Sequence, residues 1–233
     1  RLTDAGLTPQ VASELEFSLY HGSYDDGRTN GYETLVPTTL ARADYTIQAG
    51  DRYEGFFSGV RDALAASELG PWTSQVEWGR GQWEINLEYR NALEMADRHL
   101  LFKLAMRTLA ANAGMAVTFM ARPFADTTGS SCHLHLSLVD GDARNVFHDA
   151  EDADEISATL RHAIGGVLER APELMLFYAP TVNSYRRTTS GEFSGNGLSW
   201  GFDSRMVSCR VLGYSPAYIR LESRVNGADV APY

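Results

Sequence analysis

Between residues 14 and 19 the chain alternates strictly, with Leu15, Phe17 and Leu19 on one side and Glu14, Glu16 and Ser18 on the other. A period of two defines an extended strand with one buried face, so residues 11–20 (VASELEFSLY) read as half-buried β structure. The same alternation commits two carboxylates to a single surface. Any neighbouring strand must bury the Phe17 side and tolerate paired negative charge on the other.

A second stretch, residues 76–89 (VEWGRGQWEINLEY), sets Glu77 and Glu84 on either side of a glycine-bracketed turn, Gly79-Arg80-Gly81. If that turn closes an antiparallel hairpin, both carboxylates can face one side and share a ligand. Taken alone, two glutamates beside a turn are ordinary solvated charges. Two later runs carry matching pieces. In residues 132–139, His133, His135 and Ser137 alternate with Leu134, Leu136 and Leu138; in residues 218–225, Arg220, Glu222 and Arg224 alternate with Ile219, Leu221 and Ser223. If these strands share a sheet, their charges converge and repel unless cations lie between them. Five carboxylates and a histidine suit hard divalent ions, Mg²⁺ or Mn²⁺, and the lack of close-spaced thiolates argues against structural zinc.

The second half adds Arg186, Arg187, Arg205, Arg210, Arg220 and Arg224. Singly, each could be a surface ion pair. Together, arginines beside a carboxylate–metal cluster are what phosphoryl transfer requires: metals bridge phosphate oxygens and guanidinium groups offset the developing charge. Neither GxxxxGK[ST] nor GxGxxG occurs, which excludes P-loop and Rossmann nucleotide sites. The net charge of −10 argues against nucleic acid or an anionic membrane as partner but leaves nucleotides open, since local cations reverse the field in one cleft.

The rest of the chain supplies scaffold. Residues 24–30 read as a loop, residues 51–67 as an amphipathic helix, and residues 91–112 as a long helix whose Leu93, Ala96, Leu100, Leu101, Leu104, Met106 and Leu109 should lie against the sheet. A strand is expected over 116–124, a helix over 152–170 with an acid in its first turn and Pro172 closing it, irregular structure over 188–199, and a strand over 205–212. Without a βαβ rhythm, the fold class is α+β with a mainly antiparallel sheet. No apolar run of about 18 residues suggests a membrane span, and no signal peptide is evident. Cys132 and Cys209 are not closely spaced, which suits a reduced, cytoplasmic protein, with one disulfide left open. At 233 residues the chain is one large domain or two small ones; its start at Arg1 and its stop after Ala231-Pro232-Tyr233 suggest that it is cut from something longer.

In order, SELEFSL, EWGRGQWEINLEY, TFMARPF, GSSCHLHLSL, PTVNSYRRTTSGEF, WGFDSRMVSCRV and RLESRVNGADVAPY resemble the signatures of the glutamine synthetase family across nearly the whole chain. The resemblance implies a catalytic domain, residues 1–233, with a curved, mainly antiparallel sheet and flanking helices, lacking an N-terminal β-grasp domain and C-terminal helices. It implies that ATP phosphorylates the γ-carboxylate of glutamate and that ammonia or an amine displaces the phosphate. Glu16, Glu77 and Glu84 would hold the metal near glutamate, and Glu14, His133 and Glu222 the metal between the nucleotide phosphates. Gly129, Arg187 and Arg224 would bind glutamate, Arg205 and Arg210 the phosphates, and His135, Ser137, Arg210 and Arg220 the nucleotide. It further implies a ring-type homo-oligomer.

The departures point to the acceptor. Gln75 stands where glutamine-forming members commonly carry histidine; Phe193, with Glu192 beside it, replaces their closing glutamate; Ser204 and Thr128 replace asparagines. The spacing in GEFSGNGLSWGFDSR and the tail ESRVNGADVAPY look more like relatives that make γ-glutamyl amides from larger amines. A primary amine is therefore the expected acceptor, with glutamine synthesis from ammonia as the alternative. A catalytically inactive structural or regulatory member is the alternative of another class.

Overall fold

The computed structural model describes residues 2–189 and 197–233. Strand β1, Thr8–His21, is the spine, with Leu15, Phe17 and Leu19 buried in the main core as the alternation requires. Next comes a short helix, α1, Tyr24–Thr29, instead of the expected loop. The cause is a capping box: Ser23 Oγ accepts from the Asp26 N–H while Asp26 Oδ2 accepts from the Ser23 N–H, so polar residues that suggest a loop satisfy a helix end. Strand β2, Val36–Pro37, pairs with the end of β1. The single helix expected over 51–67 is two, α2 (Ile47–Arg52) and α3 (Glu54–Ala66), meeting at Tyr53; Phe57, Val60 and Leu64 are the buried side of α3.

Strands β3 (Pro71–Val76) and β4 (Gln82–Leu87) form the expected hairpin. Its turn needs glycine twice over at position 81: φ is +66°, and a Cβ there would lie 2.8 Å from the Leu19 carbonyl oxygen. Strand β5, Arg90–Asn91, leads into α4, Ala92–Asn112, where Asn91 Oδ1 caps the Glu94 N–H.

The buried side of α4 keeps Ala96 and Met106 of the expected stripe but leaves four of its leucines outside. Met95, His99, Phe102, Met106 and Ala110 are buried, whereas Leu93 and Leu104 are 67% and 61% exposed, and Leu100 and Leu101 are exposed with them. Apolar residues surround this helix, so several faces compete; Phe102, tilted against Phe17 and edge-on to Phe119, selects the one that meets the sheet.

Strand β6 covers only Met115–Thr118, and β7, Cys132–Val139, has the expected bounds. Helix α5, Ala158–Tyr178, starts later than expected, is capped by Ser157 with no acid in its first turn, and runs through Pro172. Leu160, Ile164 and Ala171 bury its inner side, so packing carries the helix past the proline. A further helix, α6, Val182–Thr188, begins at a Thr181–Ser184 capping box just before the stretch expected to be irregular. Strands β8 (Trp200–Phe202), β9 (Cys209–Leu212) and β10 (Arg220–Ser223) complete the described elements, the last two shorter than the runs that suggested them.

The ten strands among the described residues make one sheet in the order β3-β4-β1-β7-β10-β9-β8, with β2, β5 and β6 also paired to β1. Only β8 and β9 run parallel, so the expected α+β class with a mainly antiparallel sheet holds. One core lies between β1, β3, β4 and helices α3 and α4; a second gathers Leu138, Phe147, Leu160, Val211 and Leu221. Cys132 and Cys209 are free and buried, which closes the disulfide alternative. Among the described residues, no helix is long and apolar enough to cross a membrane.

Candidate active site

Strand register assembles the site. Gln75 of β3 pairs with Glu84 of β4, and Glu84 with Glu16 of β1. Glu14 of β1 pairs with His133 of β7, while His135 pairs with Glu222 of β10 and Glu222 with Arg210 of β9. Directly opposed residues share a face, so a band of acids, imidazoles and arginines crosses the sheet opposite the main core. It opens into a cleft of about 370 Å³. A larger cavity of about 430 Å³ lies behind the sheet, but it is lined mainly by apolar side chains with Ser13 and His99, and carries none of the clustered charge.

At one end, Glu16 Oε2 accepts from the Ser131 N–H at 2.7 Å and from Gln82 Nε2 at 2.8 Å. Gln82 also donates to the Gly129 carbonyl at 3.0 Å. Arg187 donates to Ser131 Oγ through Nε (3.1 Å) and Nη2 (2.9 Å), and to the carbonyls of Val225 and Arg224, each at 3.0 Å. With its donors engaged in this way and only 2% of it exposed, Arg187 is a wall that holds the Gly129–Ser131 segment. Arg224 donates to Glu222, yet its buried Nε has no hydrogen-bond partner. Such a donor is suited to an anion.

At the other end, Glu77 follows β3 and its side chain is hydrogen-bonded by Tyr45 and Gln75. Tyr45 also hydrogen-bonds Arg205, and holds the left-handed backbone at φ +54°. Between the ends, His133 Nδ1 lies 3.3 Å from Glu14 Oε2 and 3.4 Å from Glu222 Oε1, while Arg210 Nη1 donates to Glu222 Oε2 at 3.2 Å. His135 Nε2 is 2.8 Å from Glu14 Oε1, and its Nδ1 accepts from Arg220 Nε at 2.9 Å.

These groups titrate abnormally. Burial, then the charge of Glu77, raises Glu16 to about 8. Burial, then the charge of Asp44, raises Glu77 to about 7. Glu84 stands well above the ordinary carboxylate range because it is buried and faces Glu14, Glu77 and Glu16. For Glu14, burial raises the value, but hydrogen bonds and charge from His133 and His135 outweigh it and hold the carboxyl low. Glu14, Glu84 and His133, and likewise Glu14, His135 and Glu222, bring ligand atoms within 4.8 Å of one another. Buried His133 Nε2 has no hydrogen-bond partner. Mutually repelling oxygens with an unclaimed imidazole nitrogen fit a hard divalent cation.

The structure thus gathers Glu14, Glu16, Glu77, Glu84, His133 and Glu222 with Gly129, Arg187, Arg205, Arg210 and Arg224 around one cleft. His135 joins through Glu14, and Arg220 through His135. Ser137 sits further along β7, opposite Gln10, and does not line the cleft. Glu192 and Phe193 lie outside the described residues. Sequence reasoning missed Gln82, Ser131, Asp44 and Tyr45. Gln82 left a signal, a polar side chain entering a buried strand directly after the turn glycines; Asp44 and Tyr45, in an irregular stretch, left none.

The whole chain, residues 1–233, matches the family described as "Glutamine synthetase, catalytic domain". It is 35% identical over 233 residues to the gamma-glutamylethanolamide synthetase GlnA4 of Streptomyces coelicolor, covering 100% of this chain and 49% of that protein. It is 32% identical over 237 residues to a glutamine synthetase of Mycolicibacterium smegmatis, covering 100% of this chain and 51% of that protein. The solved structure described as "Apo GmaS without ligand" superposes with a TM-score of 0.86 at 30% identity, over 100% of this chain and 52% of its own. The chain spans about half the length of the relatives it matches.

Proposed function

Since the chain belongs to the glutamine synthetase family through its catalytic domain, we propose that it forms the phosphoryl-transfer site of an ATP-dependent ligase joining glutamate to a primary amine. The observation that carries this reading is the convergence of Glu14, Glu16, Glu77, Glu84 and Glu222 with Arg187, Arg205, Arg210 and Arg224 on one cleft. Buried carboxylates at this density call for cations, and the arginines beside them call for an anionic substrate.

In this reading Glu16, Glu77 and Glu84 hold one divalent cation and Glu14, His133 and Glu222 another. Bound Mg²⁺ or Mn²⁺ supplies charge neutralisation and orientation of phosphate oxygens. Arg224, with its unpartnered Nε, receives a glutamate carboxylate beside Gly129, while Arg187 keeps that wall in place. Arg205 and Arg210 offset the charge of the transferring phosphoryl group. His135 and Arg220, with Arg210, serve the nucleotide side, and Ser137, away from the cleft, takes no part. The γ-carboxylate oxygen attacks the γ-phosphorus of ATP and releases ADP; the amine nitrogen, after losing a proton, attacks the acyl carbon and expels inorganic phosphate. A ring-type homo-oligomer is part of the same proposal.

The choice of a primary amine is supported by a relative named for an ethanolamide product and by Gln75, Thr128 and Ser204 at positions where glutamine-forming members differ. The test is ATP-dependent phosphate release by the purified full-length protein with glutamate plus ammonium or a panel of primary amines. Turnover with amines well above that with ammonium is expected. Strong ammonium turnover without amine turnover would assign glutamine synthesis, and no glutamate-dependent ATP hydrolysis at any Mg²⁺ or Mn²⁺ concentration would assign an inactive member.

A further inference from the structure

Gln75 stands between two of the site's acids without being one. Its Nε2 is 2.7 Å from Glu84 Oε1 and 3.4 Å from Glu77 Oε1. Both contacts follow from the backbone: register sets Gln75 opposite Glu84, and Glu77 follows two residues later as β3 ends. A primary amide carries two N–H groups on one nitrogen, so it can serve two acceptors at once. It does so without a charge of its own.

That neutrality matters in this position. Glu84 is surrounded by Glu14, Glu77 and Glu16, and these repel it. With no donor between them, the carboxylates would turn away from one another and scatter their lone pairs. A lysine or arginine here would hold them together but would compete with a cation for the same oxygens. The Gln75 amide supplies direction alone.

We propose that Gln75 is a positioning residue, a neutral two-hydrogen donor that fixes the Glu77 and Glu84 carboxylates so that their other oxygens converge on a divalent cation. This rests on the reading of Glu77 and Glu84 as cation ligands. Nothing else in the described structure donates a hydrogen bond to both. Groups that orient metal ligands characteristically control affinity by about 10–100-fold when removed.

The test uses the full-length protein with Gln75→Met, which keeps the length of the side chain and removes its donors. Mn²⁺ affinity is read by titration calorimetry, and the melting temperature is read in EDTA and with Mn²⁺. Gln75→Met should weaken Mn²⁺ binding by about 10-fold or more and shrink the Mn²⁺-induced rise in melting temperature. Gln75→Asn, which keeps the amide but withdraws it by one methylene, should weaken binding as well, and it decides the matter if Gln75→Met fails to fold. Unchanged Mn²⁺ affinity in a folded variant overturns the inference while leaving the proposed function standing. No Mn²⁺ binding by the unsubstituted protein overturns both.

Discussion

Gly129 lies so close to Arg187 that a Cβ at position 129 would sit 2.6 Å from Arg187 Cγ and 3.0 Å from the Ala121 carbonyl oxygen. Arg187 cannot retreat, because Ser131 Oγ and the carbonyls of Arg224 and Val225 hold its guanidinium. Gly129→Ala should therefore destabilise the protein by about 1–3 kcal/mol, the usual cost of overpacking, and raise the KM for glutamate. Thermal melting and initial-rate kinetics check the two halves separately; an unchanged melting temperature would show that the wall yields.

Glu84→Gln keeps shape and removes charge. The carboxylate sits well above its ordinary range through burial and the charges of Glu14, Glu77 and Glu16, so the variant should melt no lower than wild type in EDTA. Its glutamate-dependent phosphate release should fall by about 10²-fold or more. Wild-type turnover at saturating Mg²⁺ would remove Glu84 from the cation site.

Stability without cations should depend on pH in a set direction. Glu16 is raised to about 8 and Glu77 to about 7 from an ordinary 4.5, so the folded state holds protons more tightly than the unfolded chain. Their contribution is fully present below about 4.5 and is lost as pH climbs through about 7 to 8. In EDTA the melting temperature should drop across that window, and saturating Mg²⁺ or Mn²⁺ should remove most of the slope. A flat profile in EDTA would contradict the burial of these acids.

His99 should act oppositely. Burial, then the charge of Lys103, lowers it from 6.5 to about 3, so it is neutral in the folded protein. Its contribution is present above about 6.5 and is lost as pH falls toward about 3. The difference in melting temperature between wild type and His99→Gln should shrink as the pH is lowered through this range, and the common contribution of the acids cancels in that difference. A constant difference would mean that His99 keeps its proton in the fold.

Where sequence reading succeeded, one pattern had one meaning. Period-two alternation in residues 14–19 and 132–139 sends successive side chains to opposite faces, and strand pairing brings Glu14 and Glu16 to the same face as His133 and His135. The α4 helix shows the opposite case. Leucines at 93, 100, 101 and 104 promised most of a face, but apolar residues lie all around; of the expected stripe Ala96 and Met106 are buried, joined by Met95, His99 and Phe102 in place of those leucines. Deciding between faces required the shape of the aromatic cluster beneath, which is a long-range property. Tyr45 was illegible for a similar reason: its hydrogen bonds to Glu77 and Arg205 join segments remote in sequence, from a loop without periodicity. The Ser23–Asp26 capping box was written in the chain, but its residues also spell a loop.

Strand β1 carries Phe17 into the core and Glu16 into the cleft, and pairs directly with β2, β4, β5, β6 and β7. Inserting or deleting one residue within it would exchange its two faces, driving carboxylates into hydrocarbon and phenyl rings into the reaction cleft. Such a change cannot be repaired by any single compensating substitution. Substitutions in the stretch bearing Asp44 and Tyr45, which lines the cleft from outside the strand, leave that division of faces untouched. The rim of the cleft can change one side chain at a time, whereas a shift in the frame of the spine changes every side chain along it at once.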